Sequence, residues 1–331
     1  MARMLGYNFY YDLTTSFSHQ YAIQVKSRLP ADPESFFLTV NSQLLPYLDI
    51  PHKIALYNDA TFANLYGYYN YFSNLSPWDR WQCFRNEKRA LQRADYLFFA
   101  SDWAAQSAIR DFGANPAKVH VLPFGANLEQ VPSSQEIAEL IKQRTLKPIR
   151  LLWVGVDFER KGGALAVEIA GRLSQQGYET VLTLAGVETP PLKNLPSFVV
   201  NAGRINKDSP DGEARLIELY RQADIFILPS YRECYGVVFA EASAFGLPIL
   251  AFHTGGVPTI VKQSENGWLF SSAASPDEFS QKILELASDK VVYQSLALGA
   301  RKAYDERLNW SLVSRRMREI LWPDKEKNEP A

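Results

Sequence analysis

Two glutamates eight positions apart, Glu233 and Glu241, bracket a glycine in the segment Pro229-Ser-Tyr-Arg-Glu-Cys-Tyr-Gly-Val-Val-Phe-Ala-Glu241. A strand is expected to end at Pro229, a loop to carry Glu233 and Gly236, and a helix to begin near Val237 with Glu241 about one turn inside it. Gly236 lets the backbone approach a ligand, and the amides from Val237 onward form an anion site at a helix N-terminus. The two carboxylates then flank that site. A second element, Gly255-Gly256-Val-Pro258, follows another strand, and its small residues again bring main-chain amides close to a charged or hydroxylated ligand. A third, Gly155-Val-Asp-Phe-Glu-Arg160-Lys161-Gly162-Gly163, offers two cations beside a glycine pair. Such cations suit a diphosphate, arginine by bidentate bonding and lysine as a point charge. Each piece has a plainer alternative: glutamates on a helix are commonly solvated, a Gly-Gly pair is commonly a turn, and Arg-Lys before glycine is commonly surface. Their joint occurrence, each after a strand, favours one crevice at the C-terminal ends of parallel strands.

The elements that must position these residues alternate short β-rich runs with helical patterns, as a parallel sheet with crossover helices does. Strands are expected at 151–156, 180–185, 198–200, 225–229, 249–252 and 268–270, and helices at 164–176, 213–222, 237–244 and 276–288. Most of these strands are apolar on both faces, so helix layers should cover both sides of the sheet. Ser275, Pro276 and Glu278 make a capping box with proline at the first helical position, and from Lys290 the pattern stays helical to about Leu321. The first half has strands expected at 36–40, 54–57, 96–100 and 119–122. Its helices run from Ser76-Pro77 to about Arg93 and from Ser101 to about Phe112. Tyr66, Tyr68, Tyr69, Tyr71, Phe72, Trp78 and Trp81 form a dense aromatic stretch that suits sugars or lipids, with core packing the preferred reading. The domain plan is an N-terminal domain over 1–128, a polar linker over 129–148, a C-terminal domain over 149–310, a final helix over 311–322 and a frayed tail over 323–331.

With 331 residues the chain exceeds what one core usually serves, and 47% apolar residues are ample to bury two. Thirty-five Lys and Arg against 36 Asp and Glu leave a net charge of −1, which sets up no long-range field for nucleic acid or an anionic membrane. Cys83 and Cys234 are too few and too far apart for a disulfide scaffold or zinc site, which fits a reducing compartment. Without a signal-peptide pattern or an apolar run of roughly 20 residues, the expected location is the cytoplasm.

In combination, the spacing of Glu233 and Glu241 about Gly236 resembles the Glu-x7-Glu signature of retaining glycosyltransferase family 4, and the likeness covers nearly all of 151–322. The resemblance implies an α/β chain of the GT-B fold, two Rossmann-like domains facing across a cleft, the N-terminal one incomplete here. It implies that Arg160 and Lys161 hold the donor diphosphate, that Gly236 and Val237 present amides to phosphate, and that Glu233 contacts the transferred sugar. Glu241 would accept hydrogen bonds from the ribose hydroxyls, and Ile205, in the loop Gly203-Arg204-Ile205, would pack on the nucleobase. Many relatives place an arginine directly after the glycine matching Gly155. Here Val156 stands there, and the diphosphate cation is assigned to Arg160 beside Lys161.

The likeness continues more weakly through 54–127, with Ala100-Ser101-Asp102 and Pro123-Phe124-Gly125-Ala126-Asn127 as strand-end segments. Where the family often has a histidine facing the acceptor, this chain has Asp59, whose carboxylate could orient an acceptor hydroxyl or take its proton, or alternatively cap a helix from Ala60. The family's first strand and glycine-rich turn have no counterpart before Phe36. A βαβ unit of roughly 30 or more residues is thus expected to be absent, through a misplaced start codon or a real loss. The implied reaction moves a hexose-type sugar from a UDP- or GDP-linked donor to a hydroxyl acceptor (glycan, lipid or small molecule), with retention and without metal or cofactor. Closure of the two domains would exclude water. A non-catalytic nucleotide-sugar-binding or partner subunit and a GT-B sugar-nucleotide epimerase are the rivals. No G-x-G-x-x-G follows a strand, so a dinucleotide oxidoreductase is not indicated.

Overall fold

The computed structural model describes residues 6–323 except 31, 33 and 34. The expected tail from 324 onward, and the first five residues, lie outside the described ones. The chain divides into two compact units, Met1–Pro123 with Met317–Ala331, and Phe124–Arg316.

In the first unit, α1 (Thr15–Arg28) precedes β1 (Phe36–Thr39), β2 (Lys53–Asn58), α2 (Phe62–Leu65), α3 (Pro77–Arg93), β3 (Tyr96–Phe99), α4 (Asp102–Phe112) and β4 (Val119–Val121). The four strands are parallel and lie in chain order. Alternation sorts the side chains. Ile54, Leu56, Leu97 and Phe99 point into a core with Leu91 and with Ala90, Ala104 and Ala108, whose small size lets α3 and α4 sit close to the sheet. The opposite face carries Phe36, Tyr57, Tyr96, Phe98 and His120, with Trp322 packed edge-on against Phe36 at 4.7 Å. Ser76 and Ser101 cap α3 and α4 as expected, and Gly113, at φ +67, closes α4.

Two expectations are corrected here. The cap before residue 62 is Thr61, in a capping box with Asn64, and not Asp59; the Thr61 hydroxyl reaches the Asn64 amide from a position Asp59 does not occupy. The aromatic stretch does not all enter the core. Tyr66 and Phe72 pack against it, whereas Tyr71, Trp78 and Trp81 are exposed, because α3 turns positions 82, 83, 86, 87, 90 and 91 inward and leaves 78 and 81 outside.

The second unit runs α5 (Ser134–Gln143), β5 (Ile149–Val154), α6 (Gly163–Gln175), β6 (Thr180–Ala185), β7 (Val199–Gly203), α7 (Pro210–Gln222), β8 (Ile225–Leu228), α8 (Val237–Ala244), β9 (Ile249–Phe252), α9 (Val257–Ile260), β10 (Gly267–Phe270), α10 (Pro276–Ser288) and α11 (Lys290–Arg307). A last helix, α12 (Trp310–Leu321), begins in this unit. The six strands are parallel in the order β10-β9-β8-β5-β6-β7. β8 and β9 are buried at every position, as their unbroken apolar runs require. The polar stretch expected as a linker holds α5: a capping box of Ser133 with Glu136 starts it, and Ile137 and Ile141 bury one stripe. The helical pattern after Lys290 is not continuous either. It breaks at buried Leu308, and the Asn309 side chain accepts the Leu312 amide at 2.9 Å to start α12.

Candidate functional site

Strand order reverses between β5 and β8, so the loops leaving their C-terminal ends diverge and open a crevice at that point. Those loops are 155–162 and 229–236, two of the three elements singled out from the sequence. They touch. The Tyr231 amide donates to the Arg160 carbonyl at 3.0 Å, and Gly162, at φ +68, packs so closely that a Cβ there would lie 2.2 Å from the Pro229 carbonyl oxygen. Only glycine satisfies both the left-handed backbone and that approach. The Trp153 indole, buried in β5, donates to the Lys161 carbonyl at 3.0 Å and fixes the far side of the loop.

The contact puts opposite charges together. Lys161 Nζ donates to Glu233 Oε2 at 2.5 Å, and Arg160 Nη1 lies 3.8 Å from the same oxygen. Arg160 is itself aimed by Asp157, which accepts from its Nε at 3.0 Å, and by the Arg232 carbonyl at 2.9 Å. The Lys161 and Glu233 side chains are only 11% and 9% exposed, so the pair is largely removed from water and its attraction is weakly screened. The third element joins through the Gly256 amide, which donates to the Glu233 carbonyl at 3.2 Å, while Gly255 makes the turn at φ +49.

Gly236, at φ +86, precedes α8 and has no side chain to cap it, and the first-turn amides of Val237 and Val238 have no intrahelical acceptor. The other end of α8 is closed. Buried Arg144 donates to the carbonyls of Phe245 and Gly246, and buried Arg301 to that of Ala244. Glu241 does not join Glu233. It is fully buried on the inner side of α8, where Lys207 Nζ donates to Oε1 at 2.5 Å and the Tyr220 hydroxyl to Oε2 at 2.8 Å. Burial, reinforced by the Glu241 charge, pushes the Tyr220 phenol well above its usual range and keeps it a hydrogen-bond donor.

The expected residues thus fall into separate places. Arg160, Lys161, Glu233, Gly236, Val237 and Gly256 converge at the switch point, while Glu241 lies in a second cluster with Lys207 and Tyr220. Ile205 is half-buried in the loop that also carries Lys207, and Asp59, half-buried, directly follows β2 in the first unit. Lys207, Tyr220 and Asp157 were not singled out from the sequence; a lysine two positions beyond Ile205 was the one available signal. Among the described residues, no group of three or more His, Cys, Asp or Glu is arranged to hold a metal ion.

Comparison with known proteins bears on this geometry. The family model for glycosyl transferases, group 1, matches residues 135–303, which include the whole switch-point site. A D-inositol 3-phosphate glycosyltransferase of Xylanimonas cellulosilytica is 28% identical over 244 residues, covering 71% of this chain and 58% of the relative. That of Corynebacterium jeikeium is 27% identical over 258 residues, 74% of this chain and 59% of the relative. The chain therefore spans a little over half the length of the curated relatives it matches. Among solved structures, a sucrose-phosphate synthase from Thermosynechococcus elongatus superposes with a TM-score of 0.68 at 17% identity, over 95% of this chain and 79% of that one. The Anabaena protein HepE in complex with UDP does so at 0.65, with 17% identity over 92% and 82%. These likenesses bear out the GT-B fold. Since the family model covers half of the sequence, the chain belongs to the group 1 glycosyl transferases.

Proposed function

We propose that the chain is a cytoplasmic retaining glycosyltransferase of family 4 that moves a hexose-type sugar from a UDP- or GDP-linked donor to a hydroxyl acceptor. The observation that carries this reading is the convergence of Lys161 and Arg160 on Glu233 beside the uncapped start of α8. Two cations already gather on one carboxylate, and the start of α8 lacks a side-chain cap, so an incoming diphosphate would find counter-charges arranged before it arrives. As the bond from sugar to phosphate breaks, negative charge grows on the diphosphate, where Arg160, Lys161 and the Val237 amide stabilise it without a metal or cofactor. Glu233, released from Lys161, orients the sugar. Gly255 and Gly256 line the sugar side, Ile205 packs on the base, Glu241 takes the ribose hydroxyls and Asp59 is assigned the acceptor hydroxyl. That HepE was solved with UDP supports a uridine diphosphate donor.

Calorimetric titration with UDP and GDP, followed by donor turnover with and without hydroxyl acceptors, tests the proposal. The expected result is micromolar to millimolar binding of one nucleotide, weakened at least tenfold by Lys161→Ala, and sugar transfer that requires an acceptor. Binding without turnover under any acceptor, or acceptor-independent isomerisation of the donor sugar, overturns it in favour of a binding subunit or an epimerase.

A further inference from the structure

The switch-point site leaves one surface of the first unit unused. The outward stripe of α3 runs Trp78, Trp81, Arg85 and Lys88, positions that lie above one another on a helix of 3.6 residues per turn. Trp78 and Trp81 are 64% and 48% exposed and stack on each other with ring centres 5.0 Å apart at 25°. The Arg85 guanidinium lies over the Trp81 ring at 4.9 Å, and Arg89, one position further round, over Tyr47 at 4.8 Å. Tyr71 is 59% exposed, and its ring packs at 4.2 Å against that of Tyr10, just after the Asn8 bridge to Leu75 that precedes α3.

Along α3 itself the outward charge is one-sided, with exposed Asp12 of the preceding turn the acidic neighbour on an adjoining element. Of the acidic residues of α3, Asp79 is engaged at the helix start, accepting from the Ser76 hydroxyl at 2.7 Å, and Glu87 is buried, accepting from Ser42 at 2.7 Å. What faces outward is cationic, in a chain whose net charge is −1. Amphipathic helices with tryptophan and arginine or lysine side by side match the boundary between lipid headgroups and acyl chains, where an indole buries its apolar body and a cation reaches phosphate. A base-stacking or sugar-stacking platform needs bare ring faces, and Trp81 already carries Trp78 and Arg85 on its ring.

We propose that this face of α3 is a docking surface for an anionic lipid membrane, with Trp78 and Trp81 seated at the headgroup boundary and Arg85, Lys88 and Arg89 on lipid phosphates. It stands independently of the sugar-transfer reading, since a catalytically inert chain would still dock.

Co-sedimentation of the full chain with vesicles of equal phosphatidylglycerol and phosphatidylcholine, against vesicles of phosphatidylcholine alone, tests it. The chain is expected to partition onto the anionic vesicles only, and raising the salt is expected to release it. Each surface cation contributes roughly fivefold to such partition, so the triple variant Arg85→Gln, Lys88→Gln, Arg89→Gln should lose on the order of 100-fold. The double variant Trp78→Ser, Trp81→Ser should lose about tenfold or more and no longer show a blue shift of tryptophan emission on binding. Trp78, Trp81, Lys88 and Arg89 are exposed, whereas Arg85 is half-buried and donates to the Tyr47 hydroxyl at 3.2 Å. A double variant Lys88→Gln, Arg89→Gln, expected to lose about 25-fold, therefore accompanies the triple one, and circular-dichroism melts confirm that each variant folds. Failure to partition, equal partition onto both vesicles, an unaffected triple variant, or binding instead to a uridine oligonucleotide or a neutral glycan through the same residues overturns the proposal.

Discussion

Lys207→Met isolates the most buried charge in the second unit. Glu241 has no exposed surface, and its two oxygens are held by Lys207 and Tyr220. Removing one partner of a fully buried ion pair costs about 3–5 kcal/mol because the remaining charge is stranded. The Lys207 side chain is 35% exposed, so water can reach the vacated oxygen and the cost should fall to about 2–3 kcal/mol. Glu241→Gln keeps a carbonyl oxygen for Tyr220 and leaves a lysine that can rehydrate, which should cost about 1 kcal/mol. The double variant should then be less destabilised than the sum, with a coupling energy of about 1.5–2 kcal/mol. For a unit of 150–250 residues each kcal/mol moves Tm by roughly 2–4 °C, so Lys207→Met alone should lower the second unit's transition by about 4–12 °C. Thermal and urea unfolding of the four proteins, with the two units' transitions fitted separately, supplies the cycle. Additive effects, or a coupling below about 0.5 kcal/mol, would show that Lys207 does not compensate Glu241 and would refute the reasoning.

Burial pushes the Glu87 carboxyl up to about 6 from 4.5, so the folded chain holds that proton more tightly than the unfolded one. Its contribution is complete below pH 4.5 and is lost as pH rises through 6; at pH 7 the charged form costs about 2 kcal/mol, and Glu87→Gln should gain stability over the natural chain by up to that amount, with no gain at pH 4.5. Urea midpoints across this range would contradict the assignment if the difference between the two proteins stayed constant. Gly162→Ala and Gly177→Ala both place a Cβ on a left-handed residue, at φ +68 and +86, but the first meets the Pro229 carbonyl oxygen at 2.2 Å and the second meets open space. Gly177→Ala should cost about 1 kcal/mol and Gly162→Ala more than about 3, and under the proposed reading only the second would also weaken UDP binding; equal melting shifts would be inconsistent with the loop contact described. Arg144→Met leaves the Phe245 and Gly246 carbonyls buried without their donor and should lower unfolding free energy by about 2–4 kcal/mol, whereas a shift below about 0.5 kcal/mol would exclude a capping role.

Much of the second unit was legible because its strands are apolar on both faces and its helix starts carry explicit caps, as at Ser275 with Glu278. The loops at 155–162 and 229–236 were legible as ligand elements from glycine and charge alone. Their shared crevice was expected as well, but the Lys161–Glu233 ion pair was not, because a pairing across 72 positions depends on β5 and β8 being neighbours, and strand order is a non-local property. α5 was hidden by its polar composition, which masked a two-residue buried stripe and a capping box. The exposure of Trp78 and Trp81 was hidden for the opposite reason: residue type predicts burial only on average, and the inward face of α3 is supplied by Gln82, Cys83, Asn86, Glu87, Ala90 and Leu91.

The two ends of α8 bear on the proposed anion site, because a helix of only eight residues is a weak dipole unless one pole is compensated. Each end of a helix carries about half an elementary charge, positive at the start and negative at the finish, and in so short a helix the two poles nearly cancel at a distance. Here the negative pole is met by two buried guanidinium groups, Arg144 on Phe245 and Gly246, and Arg301, itself ion-paired with Asp305, on Ala244. What remains is the positive pole at Gly236, unopposed by any capping side chain and placed where Lys161 and Arg160 already gather around Glu233. The stretch read as a linker therefore bears on the field at the start of α8, because Arg144 lies in it: under the proposed reading, a residue distant in sequence would help set the field that a diphosphate meets.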